Sequence, residues 1–167
     1  LVLYSASALY HWIPVSSTAE DRFRRFDHVA IFLLIAGSYS PICLVTLRGA
    51  WGWSLFAVVW AVALAGSAVK LFLPHVSRWV SVAMYVGMGW LAVIAVVPLV
   101  EAFPATGLAW LAAGGLLYTA GAVIYGLERP DPFPQVFGFH EIFHVATLGG
   151  SASHFAFMLL YVAPLAT

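Results

Sequence analysis

Residues 27–47 read DHVAIFLLIAGSYSPICLVTL. After the opening Asp27-His28 pair the run carries no charge until Arg48. At about 1.5 Å per helical residue it is long enough to cross a hydrocarbon core of roughly 30 Å. It lacks the strict apolar–polar alternation of a half-buried strand. The reading is therefore a transmembrane helix. Residues 51–73, 79–100, 105–127 and 140–164 repeat the pattern. Residues 1–14 are also apolar, but as a helix they would reach only about 21 Å, so they read as the second half of a span. The chain opens on Leu1 inside that apolar run, with no charged segment before it. An N-terminal part is expected to precede it, and no signal peptide is recognisable.

The composition agrees. Of 167 residues 63% are hydrophobic and 8% charged, where soluble domains carry about 25% charged residues. So few charges cannot cover a water-soluble globule. Without strand-like segments a closed barrel is excluded, and helices are the remaining way to satisfy backbone groups in lipid. The expected fold class is all-α, a polytopic membrane helix bundle forming one domain over residues 1–167. A net charge of zero leaves no basic footprint for nucleic acid. The lone Cys43 cannot form an intramolecular disulfide.

Short connections at 48–50, 74–78 and 101–104 make neighbouring spans antiparallel, so successive connections alternate between the two faces. Arg22, Arg24, Arg25, Lys70, Arg78 and Arg129 fall at or beside one set of ends, and only Arg48 at the other. By the positive-inside rule the segments 15–26, 74–78 and 128–139 are cytoplasmic and the C-terminus is outside.

On this map the ionisable residues gather at one depth. His11, Asp27, His28, His140 and His144 all lie within a turn or two of the cytoplasmic face. His140 and His144, in HEIFH (140–144), are four residues apart and share a helix face. A catalytic zinc takes three protein ligands and keeps one position for water. His11 is the best third ligand, because it reaches the same depth from another helix. Ser7 lies one turn from His11 on the same face. Asp27 at this depth costs a few kcal/mol unless paired, hydrated or near a metal.

Each residue also has a plainer reading. His28, His75 and His154 read as hydrogen-bonding residues, Ser7 as a packing residue, and Asp27 as a helix N-cap at the start of its apolar run. Pro41 should kink the second span. Ala122 and Gly126 read as a small-xxx-small packing pair. Trp51, Trp53, Trp79, Trp110 and Tyr161 read as an interfacial belt.

Together, SALYH (7–11), DHVAIFLLIAGSYSP (27–41), HEIFHV (140–145), SHF (153–155) and RGAWGWSLF (48–56) resemble the haemolysin III proteins. These form the bacterial branch of the progestin and adipoQ receptor family, whose wider pattern the adiponectin receptors and alkaline ceramidases share. The resemblance runs over essentially the whole chain. It implies a seven-helix bundle, here lacking the first helix and part of the second, in a bacterial inner membrane. It implies zinc held by His11, His140 and His144, with Asp27 holding or activating a water and Ser7 in the family's serine position.

The expected function is that of a zinc-dependent membrane hydrolase of a lipid amide or ester. Asp27 accepts a proton, Ser7 binds the developing oxyanion or the water, and the substrate enters from the bilayer. A different class keeps the zinc structural and makes the protein receptor-like or cytolytic. HEIFH also matches the H-E-x-x-H signature, in which Glu141 would be a protease base. That reading lacks the distant acidic ligand in a second motif. A retinal-type photoreceptor is set aside, because the single lysine, Lys70, is not in the last span.

Overall fold

The structure is a computed structural model. It describes residues 2–12, 16–73, 75–133 and 136–166, and leaves aside the side chains of residues 2, 9–12, 17 and 18. Its helices are α1 (Val2–Trp12), α2 (Ser17–Pro41), α3 (Gly49–Phe72), α4 (Arg78–Gly89), α5 (Val96–Ala102), α6 (Ala105–Leu127) and α7 (Phe139–Phe157). Among the described residues, five helical stretches are long and apolar enough to cross a membrane: Ala19–Leu47, Gly49–Phe72, Arg78–Ala102, Ala105–Leu127 and Phe139–Leu165. The shorter α1 packs on α2 through Leu3 and Ala6 against Ala30, Ile31 and Leu34. The fold is an all-α polytopic membrane bundle.

The expected connection at 15–26 is corrected. From Ser17 onward it is helix, continuous with the second span. Ala19, Glu20, Arg22, Arg24 and Arg25 are good helix formers, and Arg24 pairs with Asp21 at 2.8 Å, three residues apart. Ser16 takes the N-cap position in an extended conformation. Asp27 therefore lies well inside a helix, and the N-cap reading of it is overturned.

Pro41 ends α2, and the chain continues as a π-helical turn, Ile42–Leu47. Pro41 cannot donate to the Gly37 carbonyl. Ser38 and Ser40 donate their hydroxyls to the neighbouring carbonyls of Ile35 and Ala36. The π turn closes with Arg48 N donating to Cys43 O at 3.1 Å. A side chain at Gly52 would collide with that same carbonyl, so α3 starts this close only because position 52 has no Cβ.

The fourth span is interrupted between α4 and α5 by a 3₁₀ stretch, Trp90–Ala95. Two groups cause the break. Pro98, in the first turn of α5, removes the N–H that would reach back to Ile94. From the second span, the buried Tyr39 hydroxyl accepts from Ala92 N at 2.8 Å and donates to Gly89 O at 2.6 Å. In an unbroken α-helix Ala92 N–H would bond the Met88 carbonyl. A side chain inserted into the ladder is one of the recognised causes of a helix break.

The pairing of α6 with α7 is set by glycines spaced seven apart. Gly107, Gly114 and Gly121 are buried on one face and meet Tyr161, His154 and Ala146 in turn. Numbers rise on one helix as they fall on the other, so the two run antiparallel. Small residues allow this close approach where lipid supplies no hydrophobic drive between helices. Gly126 takes the edge of the Trp79 ring from α4. Its half of the small-residue pair therefore seats an aromatic ring rather than a helix backbone. Trp51, Trp53, Trp79 and Trp110 are exposed, as a belt requires. Tyr161 is half-buried instead, its hydroxyl donating to Thr106.

Candidate metal centre

α7 starts at Phe139, with the Gly138 amide against the Glu141 carboxylate and the Asp131 carboxylate in the space a side chain at 138 would need. Gly138 N donates to Glu141 Oε2 at 2.8 Å, one half of a capping box, in which the N3 carboxylate reaches back to the N-cap amide. The cap uses the N–H that would otherwise be an orphan at the helix start. Glu141 itself is exposed.

One residue before Glu141 and three after it, His140 and His144 are half-buried and aimed at each other. Their Nε2 atoms stand 3.0 Å apart and their rings are 88° from parallel. Two imidazoles on one tetrahedral zinc, with Zn–N of about 2.0–2.1 Å, would hold their nitrogens about 3.3 Å apart. The pair is thus close to the spacing a shared metal needs, and its donors are of the type zinc prefers. Tyr125 of α6 and Phe143 shield it, with the Tyr125 ring centroid 6.3 Å from that of His140 and 5.1 Å from that of Phe143. Behind Tyr125 stands the Arg78 guanidinium, 5.8 Å from the ring centroid and paired with Glu128 at 2.6 Å.

Among the described residues, no third His, Cys, Asp or Glu joins the pair to form a group able to hold a metal. The expected third ligand is His11, whose backbone belongs to α1 but whose side chain lies outside the described residues. Its level in the bundle follows from two contacts of α1. The Tyr4 hydroxyl donates to Ser151 Oγ of α7. α1 and α7 run antiparallel, because each span reverses the last. Moving two turns, about 10 Å, along both helices goes from Tyr4 to residue 11 and from Ser151 to His144. The second contact is the packing of Leu3 and Ala6 on Ala30, Ile31 and Leu34 of antiparallel α2. Extending it puts residue 11 within a turn of Asp27. The backbone register thus brings positions 11, 27 and 144 to one level.

Asp27 and Ser7 are both half-buried, and Ser7 sits one turn from position 11 on α1. Tyr85 of α4 lies within electrostatic range of both Asp27 and Tyr125, and its hydroxyl donates to the His28 carbonyl at 3.3 Å. His28 and His154 have the hydrogen-bonding roles expected of them. His28 Nδ1 contacts the Arg24 carbonyl at 2.6 Å, and His154 Nε2 the Leu111 carbonyl at 3.1 Å. His75 is exposed.

Sequence reasoning passed over Tyr4, Tyr118, Tyr125 and Ser151. Ser151 accepts from Tyr4 and also bonds Tyr118 at 2.7 Å, joining α1, α6 and α7 above the histidine pair. A signal for two of them was available. Tyr4 precedes His11 by seven residues and Ser151 follows His144 by seven, so each shares its histidine's helix face.

A bundle of helices long and apolar enough to cross a membrane, with a histidine pair at the start of α7 and an aspartate brought to its level, defines a class of polytopic helical membrane protein. The family model described as haemolysin-III related matches residues 1–155, and the chain belongs to that family. Hemolysin-3 of Bacillus cereus is 42% identical over 166 residues, which cover 99% of this chain and 73% of that protein. The Hemolysin-3 homolog of Bacillus subtilis (strain 168) is 39% identical, covering 96% and 72%. The human monocyte to macrophage differentiation factor is 27% identical, covering 92% and 63%. No solved structure matches the chain. The protein is an integral, multi-pass membrane protein of the haemolysin III type.

Proposed function

We propose that this protein is a zinc-dependent membrane hydrolase acting on a lipid amide or ester. His11, His140 and His144 hold the metal, which would supply a Lewis acid and a water with a pKa near 7. Asp27 takes the proton from the attacking water. Ser7 donates its hydroxyl to the carbonyl oxygen as negative charge develops there. Tyr125 and Phe143 keep bulk water from the inner side of His140, and the substrate reaches the site laterally from the bilayer. The observation that carries this reading is the convergence of the two Nε2 atoms, 3.0 Å apart, at the level of positions 11 and 27. The test is metal content and turnover together. Purified protein should hold one zinc per chain and cleave a short-chain N-acyl sphingoid or an ester lipid. D27N should keep the zinc and lose turnover. Zinc-loaded protein that cleaves neither lipid class would remove the hydrolase reading.

A second reading makes the zinc structural, pinning the last helix to the first two in a receptor-like or cytolytic protein. The name Hemolysin-3 of two relatives favours it. Membrane lysis by wild-type protein that survives D27N but not loss of zinc would favour it over catalysis. The protease reading is the weakest of the three, because the Glu141 carboxylate is engaged with the Gly138 amide.

A further inference from the structure

At the arginine-rich end of the bundle, a groove of about 620 Å³ is lined by Ala19, Arg22, Phe23, Arg25, Phe26 and Leu71. It lies where the start of α2 passes the end of α3. Its lining is of two kinds: two guanidinium groups, and a wall of Phe23, Phe26 and Leu71. Arg22 and Arg25 are three residues apart, so their side chains are neighbours on the helix surface. Arg25 is half-buried and held in place, its Nη1 donating to the Leu71 carbonyl at 3.0 Å. Arg24 is occupied elsewhere, paired with Asp21 at 2.8 Å. Among the described residues, no carboxylate is within ion-pair distance of Arg22 or Arg25. Next to these uncompensated charges Phe26, Leu71 and Phe72 are exposed.

Two neighbouring cations beside an uncovered apolar wall match a ligand with an anionic head and an apolar tail. A guanidinium pair grips phosphate oxygens through parallel N–H bonds. Basic pockets at the cytoplasmic ends of membrane helices bind anionic headgroups in the same way. We propose that this groove holds one anionic phospholipid, its phosphate between Arg22 and Arg25 and an acyl chain along Phe26, Leu71 and Phe72. The lipid bridges α2 and α3 immediately before Asp27, at the entrance to the helix segment that carries it. A zwitterionic lipid is disfavoured, because its ammonium group meets the same arginines.

The experiment is native mass spectrometry of the full chain, titrated with phosphatidylglycerol, phosphatidylcholine or inorganic phosphate. Phosphatidylglycerol should remain bound as one adduct, with phosphatidylcholine about tenfold weaker, the scale of one lost charge-assisted contact. R22Q/R25Q should lose phosphatidylglycerol about tenfold or more, while R48Q, at the other end of the bundle, should bind as wild type. If R25Q fails to fold because its tether to Leu71 is gone, R22Q at its exposed position carries the comparison. Equal binding of the two lipids, or undiminished binding by R22Q and R22Q/R25Q, would overturn the site. Displacement of phosphatidylglycerol by inorganic phosphate at equal concentration would overturn the lipid assignment in favour of phosphate alone.

Discussion

The Nε2 atoms of His140 and His144 stand 3.0 Å apart with their rings nearly perpendicular. Two neutral imidazoles this close are stable only when a proton or a cation lies between their facing lone pairs. If the cation is zinc, each histidine is needed to keep it. H140A and H144A should each reduce bound zinc from one per chain to about a tenth or less, since loss of even supporting groups costs 10–100-fold in metal affinity. Elemental analysis of purified variants checks this. Retention of full zinc by both variants would show that the metal, if present, sits elsewhere.

The two carboxylates at the level of the pair should behave differently. D27N should lower turnover by about 10²–10⁴-fold, the usual contribution of a general base, with zinc content unchanged. E141Q should stay within about threefold of wild type in turnover, because a cap is not a base. It should also lower the melting temperature slightly. The reverse pattern would transfer the base to Glu141.

Gly114 lies directly against the His154 ring. G114A overpacks this contact and should cost about 1–3 kcal/mol in thermal unfolding. H154A removes the ring and should rescue G114A, giving a non-additive double-mutant cycle. Additive losses would mean that the two helices separate without strain.

Tyr39→Phe removes the hydroxyl that bridges Gly89 O and Ala92 N. The freed groups are part-buried in a span where lipid offers no replacement partner, and the loss should be about 1–3 kcal/mol unless the helix re-forms its own ladder. Hydrogen exchange of the Ala92 amide distinguishes the two results. Fast exchange means an unsatisfied donor, and slow exchange means that Met88 O has taken the place of Tyr39.

Much of this architecture was legible in the sequence because lipid imposes it. Residues 105–127 were predicted as a span, and α6 has those bounds, since an uncharged run ending in Glu128 leaves no other choice. The pairing of His140 with His144 followed from helical period, since residues four apart share a face. What escaped was set by partners distant in the chain. Nothing local to GSYSP announces that Tyr39 inserts into a helix some 50 residues away, or that Ser17–Phe26 stays helical rather than looping. The charges of that segment read as a boundary of the membrane, which is a different thing from a boundary of the helix. Glu141 was rightly denied the role of a protease base, but its capping role was passed over. A glutamate at N3 after glycine is a capping signal, and the H-E-x-x-H pattern drew attention away from it.

The Tyr4–Ser151 hydrogen bond joins residues 147 positions apart. In a chain made from its N-terminus onward, Tyr4 has no acceptor until the last helix has left the ribosome. The level shared by positions 11, 27 and 144 therefore comes into being only once α7 has been made, in one closing step. Until then α1 is held in the bundle by its packing on α2, through Leu3 and Ala6.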